Sequence, residues 1–464
     1  MRKTKNNSRN YALLFILLGL STFNNVAYSQ ASKEIELVDI KTYQYYLDKN
    51  WDLLINEGNK ALEKGLDFYY LRYRIGIAYY TKHNYIQALK HFEKAESLYG
   101  EDPILKDYIY YSRYFMNRKA EADLVAKSYA EETKSKLPIE NTFISYINLE
   151  SGYLFPKTAT QNLLGQNGFY GQEEQLNNLQ YYHLGLGLNP SPGFKIYLSG
   201  STLVINKTKR AEFSFDQGQS SREKKQDYSI HQNEFYCSGT IQGKALKIIP
   251  AFHLIQVNYD LPYFELNATF DDYLTATTPI SLNQYVGSLS LTGNFSYFNY
   301  DIYASYSNLN YANQIQFGTN LYYFPFGNLN FYSKTGVKLF SESDENTTLR
   351  LSTKKSRLIF NQLFGFKISP ILWGETSITY GDLQNTNEGN AFVVYNLIDD
   401  IKLKADINLI FSLSKNLCFS IRYQIQQRTN NYLVYSDIAN TDNYDIFNYT
   451  YFANNLIGGL TWKF

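Results

Sequence analysis

The chain has 464 residues with 44 Lys and Arg against 43 Asp and Glu, a net charge of +1, so no whole-protein field argues for nucleic acid or an anionic surface as partner. It holds 45 Tyr and 31 Phe but only 10 Pro and 2 Met, a bias toward amphipathic aromatics rather than an aliphatic core. Cys237 and Cys418 lie in separate predicted strands and offer neither a readable pairing nor metal-ligand spacing.

In chain order, Arg2, Lys3, Lys5 and Arg9 precede an apolar run from Ala12 to Leu20, followed by Ala27-Tyr28-Ser29. A charged head, a short apolar stretch and a small-residue exit predict a secretory signal peptide over 1–29. The run is shorter than the ~20 residues a spanning helix needs. No cysteine follows it to carry a lipid, and no later segment is apolar enough to span as a helix. If this chain meets a membrane, it does so with strands.

Over 33–137 the apolar period is helical and repeats at 34 residues. Gly76, Tyr79, Ala88, Phe92 and Ala95 occupy the positions at which a tetratricopeptide repeat places small and aromatic residues, and Pro103 opens the next unit. This segment resembles the tetratricopeptide family. A shift of one repeat aligns Asn50-Trp51 with Asn84-Tyr85, Ala61 with Ala95, and Ala88 with Ala122, although Gly58 replaces the Phe92 aromatic and Tyr110 replaces Gly76. About three units bury a continuous core and leave one short concave groove suited to a peptide or a partner's tail. Its candidate face is Tyr69, Tyr70, Arg72, Tyr73 and Arg74, which serve either as a docking surface or as packing against a neighbouring element.

From 141 to 464 the period becomes two. Tyr285, Gly287, Leu289 and Leu291 alternate with Val286, Ser288, Ser290 and Thr292; Ile401, Leu403, Ala405 and Ile407 alternate with Lys402, Lys404, Asp406 and Asn408. The runs continue for longer than the ~5 to 6 residues of sandwich strands, as a tilted membrane strand requires. Short connections near Pro190 to Gly193, Gly243-Lys244, Phe298-Asn299, Phe326-Gly327, Ser369-Pro370 and Lys415-Asn416 alternate with longer polar ones near 156–174, 207–226, 258–280, 341–347, 382–390 and 429–445. Short turns facing the periplasm and long ones facing outward predict an antiparallel transmembrane barrel of about 14 strands. The fold class is therefore α+β and multidomain, an α-helical repeat solenoid followed by the barrel.

The final strand runs to Phe464, with Phe464, Trp462, Leu460, Gly458 and Leu456 on one face and Lys463, Thr461, Gly459 and Asn455 on the other. It resembles the closing strand of Gram-negative outer-membrane barrels. That resemblance implies recognition of the Phe464 end by the barrel-assembly machinery, an outer-membrane lipid environment and a periplasmic location for the repeats.

Projected inward, the polar face gives Lys334, Lys338, Arg357, Lys367, Glu375, Lys402, Lys404, Asp406 and Arg422, a mostly basic set. Either it favours anionic cargo, or Glu375 and Asp406 cross-link the wall through internal ion pairs. About 14 strands lies between the side-chain-filled 8 and the open 16 to 18, so the interior is either a narrow channel or a plugged one.

Enzymatic chemistry has little support. Among 5 His, His231, four residues from Asp227, is the best general-base candidate, and no nucleophile is tied to it. Asp271 and Asp272 form a loop pair that is solvated or Ca²⁺-binding. No cofactor or nucleic-acid motif is present. Helical repeats joined to a C-terminal barrel resemble exopolysaccharide export porins and surface-lipoprotein translocators, in which the repeats recruit cargo or envelope machinery and the barrel passes cargo outward. The array here is shorter than those of polysaccharide exporters, which leaves protein export or assembly. The expected function is a conduit or translocation factor whose repeats bind a periplasmic partner or exported cargo; the alternative is an anchoring scaffold that transports nothing.

Overall fold

The computed structural model describes residues 32–139, 142–157, 161–164, 169–215, 220–243, 246–266, 273–344, 356–397, 399–435 and 444–464. The expected signal peptide and the Asp271-Asp272 pair lie outside the described residues. The chain divides after Leu137 into a helical unit and a β unit, each taken by itself below.

The helical unit holds α1 (32–47), α2 (Trp51–Glu63), α3 (Tyr69–Thr81), α4 (Tyr85–Leu98), α5 (Pro103–Phe115), α6 (Lys119–Ala126) and α7 (Glu131–Lys134). Trp51, Tyr85 and Lys119 open successive second helices at the 34-residue period, and Tyr69 and Pro103 open first helices at the same interval. Local chemistry starts these helices. The Asn84 side chain accepts from Gln87 N, and Asp102 accepts from Ile104 N and Leu105 N ahead of Pro103 at the first helical position.

Close approach between helices is made at glycines. A Cβ on Gly76 would stand 2.4 Å from the Phe92 ring, and one on Gly58 would stand 2.5 Å from Ile75. Phe92, fully buried, stacks on Tyr108 at 5.1 Å and joins α3, α4 and α5 in one core with Ala88, Ala95, Leu105 and Ile109. A second core beneath it collects Leu54, Ala61, Leu71 and Ile75.

In the β unit, fourteen antiparallel strands close a barrel in the order β1-β16-β15-β14-β11-β10-β9-β8-β7-β6-β5-β4-β3-β2, and β12 pairs with β13 as a separate ribbon. The strands are β1 (Ile144–Lys157), β2 (Tyr170–Ser191), β3 (Phe194–Phe215), β4 (Ser220–Gln242), β5 (Leu246–Leu266), β6 (Tyr273–Phe295), β7 (Phe298–Leu309), β8 (Ala312–Tyr323), β9 (Phe331–Asp344), β10 (Ser356–Lys367), β11 (Leu372–Tyr380), β12 (Asn387–Glu388), β13 (Val393–Val394), β14 (Asp400–Ser412), β15 (Leu417–Tyr435) and β16 (Tyr444–Lys463). Closure runs from Tyr146 opposite Lys463 to Lys157 opposite Phe452. No free edge is left along that seam.

The expected alternation holds on the outer face. Leu149, Phe235, Leu289, Phe317, Leu339, Phe360, Ile378, Ile407 and Leu456 are all exposed around the barrel, and Leu456, Leu460, Trp462 and Phe464 share the exposed face of β16. No helix among the described residues is long and apolar enough to cross a membrane.

Three features depart from the expected pattern. First, strand lengths are uneven: β4 and β6 have 23 residues whereas β11 has 9, against the ~9 to 11 that a tilted spanning strand needs. Most of 207–226 and 258–280, expected as loops, is therefore strand, and Ala211, Phe213 and Phe264 form a small apolar cluster there. Above the end of β1, Tyr432 to Tyr435 of β15 pairs directly with Tyr170 to Glu173 of β2.

Second, β7 and β8 are joined by a two-residue turn at Asn310-Tyr311, both at positive φ (52° and 64°), in a position where no connection was expected. The β6–β7 turn falls at Ser296-Tyr297, two residues before the expected Phe298-Asn299. Third, a bulge at Lys402 breaks the β14 alternation: Ile401 faces Arg428 and Leu403 faces Gln427 with Lys402 unpaired between them. Ile401 consequently packs inward on Ile359 and Leu383.

Candidate functional site

The segment between β11 and β14, described over residues 381–397 and at Asp399, folds into the barrel. Asn385, Gly389, Asn390 and Ala391 take positive φ values of 58°, 61°, 58° and 67°, which curl the chain into a small hairpin around β12 and β13. Asn and Gly tolerate this conformation; Ala391 adopts it at a cost of order 1 kcal/mol, which the surrounding contacts offset.

Polar side chains of the wall hold the hairpin backbone. His253 Nδ1 donates to Ala391 O at 2.7 Å, Tyr236 OH to Asn390 O at 3.1 Å, and Gln316 Nε2 and Lys338 Nζ to Asn387 O at 3.0 and 2.6 Å. The hairpin's own amides reach back, Asn387 Nδ2 to Ser305 Oγ at 2.8 Å and Asn396 Nδ2 to Gln232 and Gln284 at 3.0 Å each. Buried amides left without partners would cost about 1–3 kcal/mol apiece, so this satisfaction is what permits a polar segment in the interior.

Ion pairs fasten both ends. Lys404 Nζ lies 2.6 Å from Glu388, and the Tyr395 hydroxyl bonds both. Lys402 bridges Asp382 at 2.9 Å and Asp400 at 2.7 Å, while Lys207 lies 3.4 Å from Asp399, which also accepts from Tyr451 OH. Arg357 donates to the carbonyls of Asp382 and Gln384 and lies 4.0 Å above the Phe340 ring.

Apolar groups complete the seal. Ala391 enters a core with Leu154, Leu179, Ile205, Ile255, Val286 and Ala453, against which Val394 and Leu397 also pack. Phe392 meets Tyr236 at 5.1 Å and His183 at 5.3 Å. At the level of the hairpin the barrel interior is thus an apolar core, and Val286, expected on a polar lumenal face, is fully buried in it.

Beside the hairpin lies a cavity of about 510 Å³. Lys334, Lys338, Lys404, Asp406 and Arg422 of the expected lumenal set line it. The other four do not. Arg357 and Lys402 grip the hairpin instead, Glu375 accepts from Tyr332 OH and from Asn408 at 3.3 Å, and Lys367 is exposed at the short-turn end of β10. The expected basic bias is balanced by Glu150, Glu234, Asp301, Glu388 and Asp399, which also line the cavity. The ion pairs that fasten the inserted segment use Asp382, Glu388, Asp399 and Asp400, not Glu375 and Asp406.

His231 and Asp227 share the exposed parity of β4, and Asp227 accepts from Thr208 Oγ1. His183 and His253 are the barrel histidines turned inward, the latter with Nε2 3.5 Å from Glu234. No metal-ligand cluster occurs among the described residues, and Cys237 and Cys418 are free thiols.

In the helical unit, Tyr69 donates to Asp102 at 2.5 Å and stacks on Tyr73 at 5.7 Å, and Arg72 pairs with Asp67 at 2.7 Å. Arg74 is buried against α1, bonded to Asp39 and Thr42, with Tyr70 stacked over its guanidinium at 5.5 Å. Of the five expected groove residues, Tyr70 is the most open, at 58 % exposure.

No family profile and no curated protein matches this sequence. Solved structures with a similar trace include a FadL homologue of Pseudomonas aeruginosa (8 % identity, 69 % of this chain and 90 % of that one, TM-score 0.42). The toluene transporter TodX of Pseudomonas putida matches at 8 % identity over 73 % and 93 % with a TM-score of 0.32, and a bacterial polysaccharide outer-membrane secretin at 7 % over 70 % and 100 % with 0.32. At such values none of them assigns a function to this chain.

Proposed function

We propose that this protein is a hairpin-gated outer-membrane conduit with a periplasmic docking unit. One observation carries the reading: a closed fourteen-strand barrel, apolar outside, holds a chain segment in its interior through removable polar contacts rather than through covalent or wholly apolar packing. A barrel needed only as an anchor gains nothing from burying amides and charges that an apolar filling would replace at similar or lower free energy. The outer belt supports insertion into lipid with the short turns in the periplasm, and the β16 end at Phe464 is the proposed signal to the barrel-assembly machinery.

The helical unit is read as a tetratricopeptide-like solenoid, supported by the 34-residue spacing of its helix starts and the Gly76–Phe92 contact. It docks a periplasmic partner or exported cargo through the surface that Tyr70 opens beside Tyr69, Arg72 and Tyr73, with Arg74 buried beneath as support. The scaffold reading keeps one specific support, the apolar core that crosses the interior around Ala391. Solute flux into proteoliposomes separates the two: the conduit predicts flux that rises in Glu388→Gln, while a scaffold predicts none from either protein.

A further inference from the structure

The cavity's charges are unequal in one respect. Five of its six carboxylates are already supplied with donors. Asp301 accepts from Ser290 and, at 3.0 Å, from Asn320; Asp406 accepts from Ser377 and, at 3.2 Å, from Gln424; Glu234 accepts from Gln232 at 2.6 Å. Glu388 and Asp399 are held by Lys404 and Lys207. Its cations are not so well served. Lys334 on β9 and Arg422 on β15 have no hydrogen-bond acceptor among the described residues. Arg428, 2 % exposed, spends Nε and Nη2 on Gln426 and leaves Nη1 buried with no acceptor.

Cationic donors without acceptors, one of them buried, favour an anion over a neutral acceptor because the charge-assisted bond is the stronger, and most of the facing carboxylates already hold donors of their own. Glu150 on β1 is the cavity acid without a hydrogen bond among the described residues, and it stands two strands from Arg422 and six from Lys334 in the ring. Tyr303 and Tyr322 add aromatic faces to the lining. About 510 Å³ falls within the range of small-ligand pockets, above what one inorganic ion fills.

Resting on the conduit reading, we propose that this cavity binds a small organic anion, with Lys334 and Arg422 taking its carboxylate and the tyrosines its ring. Arg428 Nη1 provides a further donor at the hairpin side.

The test uses the full-length protein in lipid nanodiscs and calorimetric titration with benzoate and its neutral counterpart, benzamide. Benzoate is expected to bind saturably at one site, with benzamide weaker by on the order of tenfold. Lys334→Met and Arg422→Met each weaken benzoate by about the same factor, Lys334→Arg preserves it, and Glu150→Gln tightens it by removing an opposing charge. Heat-resistant gel mobility shows that each variant keeps its barrel. Equal affinity for benzamide and benzoate, or unchanged benzoate affinity in both Met variants, overturns the proposal. If hairpin removal opens a current while the wild type binds no benzoate, the site fails and the conduit stands. If benzoate binds with this charge preference and no variant conducts, the conduit fails and the site stands.

Discussion

Lys404 on the barrel wall and Glu388 on the inserted hairpin meet at 2.6 Å, and the Tyr395 hydroxyl donates to the same carboxylate at 2.8 Å. The pair ties the hairpin to β14. Removing one partner leaves the other charge buried without compensation, at a cost of about 3 kcal/mol, whereas removing both costs far less. Hydrogen exchange of the hairpin amides checks this. Lys404→Met and Glu388→Gln singly speed exchange by two orders of magnitude, about 3 kcal/mol by that measure, and the double variant returns toward wild type.

The outer face makes a separate prediction. Phe317 on β8, 57 % exposed, lies six residues from the short-turn end of its strand, which in the proposed orientation is near the middle of the bilayer core. Phe317→Arg lowers the unfolding free energy in lipid vesicles by about 2–4 kcal/mol. A change below about 0.5 kcal/mol is the result for a face that meets water.

In the helical unit, Gly76 is fitted to Phe92. Gly76→Ala puts a methyl group 2.4 Å from the ring and destabilises the unit by about 1–3 kcal/mol, while Phe92→Ala opens a cavity costing about 3–5 kcal/mol. Combining Gly76→Ala with Phe92→Leu recovers part of the loss. Protection of α3 and α4 amides in the full chain reads each variant.

His91 makes the unit pH-sensitive. Burial, with the nearby Arg72 charge second, lowers its imidazole from 6.5 to about 4. The unfolded chain therefore binds the proton first, so stability is full above the unfolded value and falls as pH drops from about 6.5 toward 4. The loss reaches up to about 3 kcal/mol. Exchange of α4 amides accelerates across that window, and His91→Gln removes this part of the pH dependence.

The closed barrel was legible because an apolar outer face and a polar inner one impose the alternation: Phe464, Trp462, Leu460 and Leu456 share one face in the sequence and in the structure. Beyond the apolar belt the pattern weakens. The upper parts of β4 and β6 carry polar residues on their exposed face, so they read as loops. Asn310-Tyr311 makes a tight turn without glycine, since Asn tolerates positive φ and Tyr311 is forced into it by the hairpin. The bulge at Lys402 shifts Ile401 inward, and nothing in an alternating run announces a one-residue insertion.

The hairpin was the largest omission. Asp382 to Asn390 has the composition of an exposed loop because the groups that hold it, Asn, Gln and backbone carbonyls, serve water as well as they serve a barrel wall. The available signal was the run Ala391-Phe392-Val393-Val394-Tyr395, too apolar for a solvated connection and too short to cross a bilayer. Five of the nine expected lumenal residues line the cavity, and the hairpin carboxylates that balance them were invisible without the fold.

Current across a planar bilayer tests the central claim most directly, using the wild type and a variant in which residues 384–399 are replaced by a short glycine-containing turn. Tyr380 of β11 already pairs with Leu403 of β14, so the shortened link leaves the wall intact. The account predicts a near-silent wild type and a steady current in the variant. A correctly folded variant as silent as the wild type contradicts it, because the hairpin would then not be what closes the barrel.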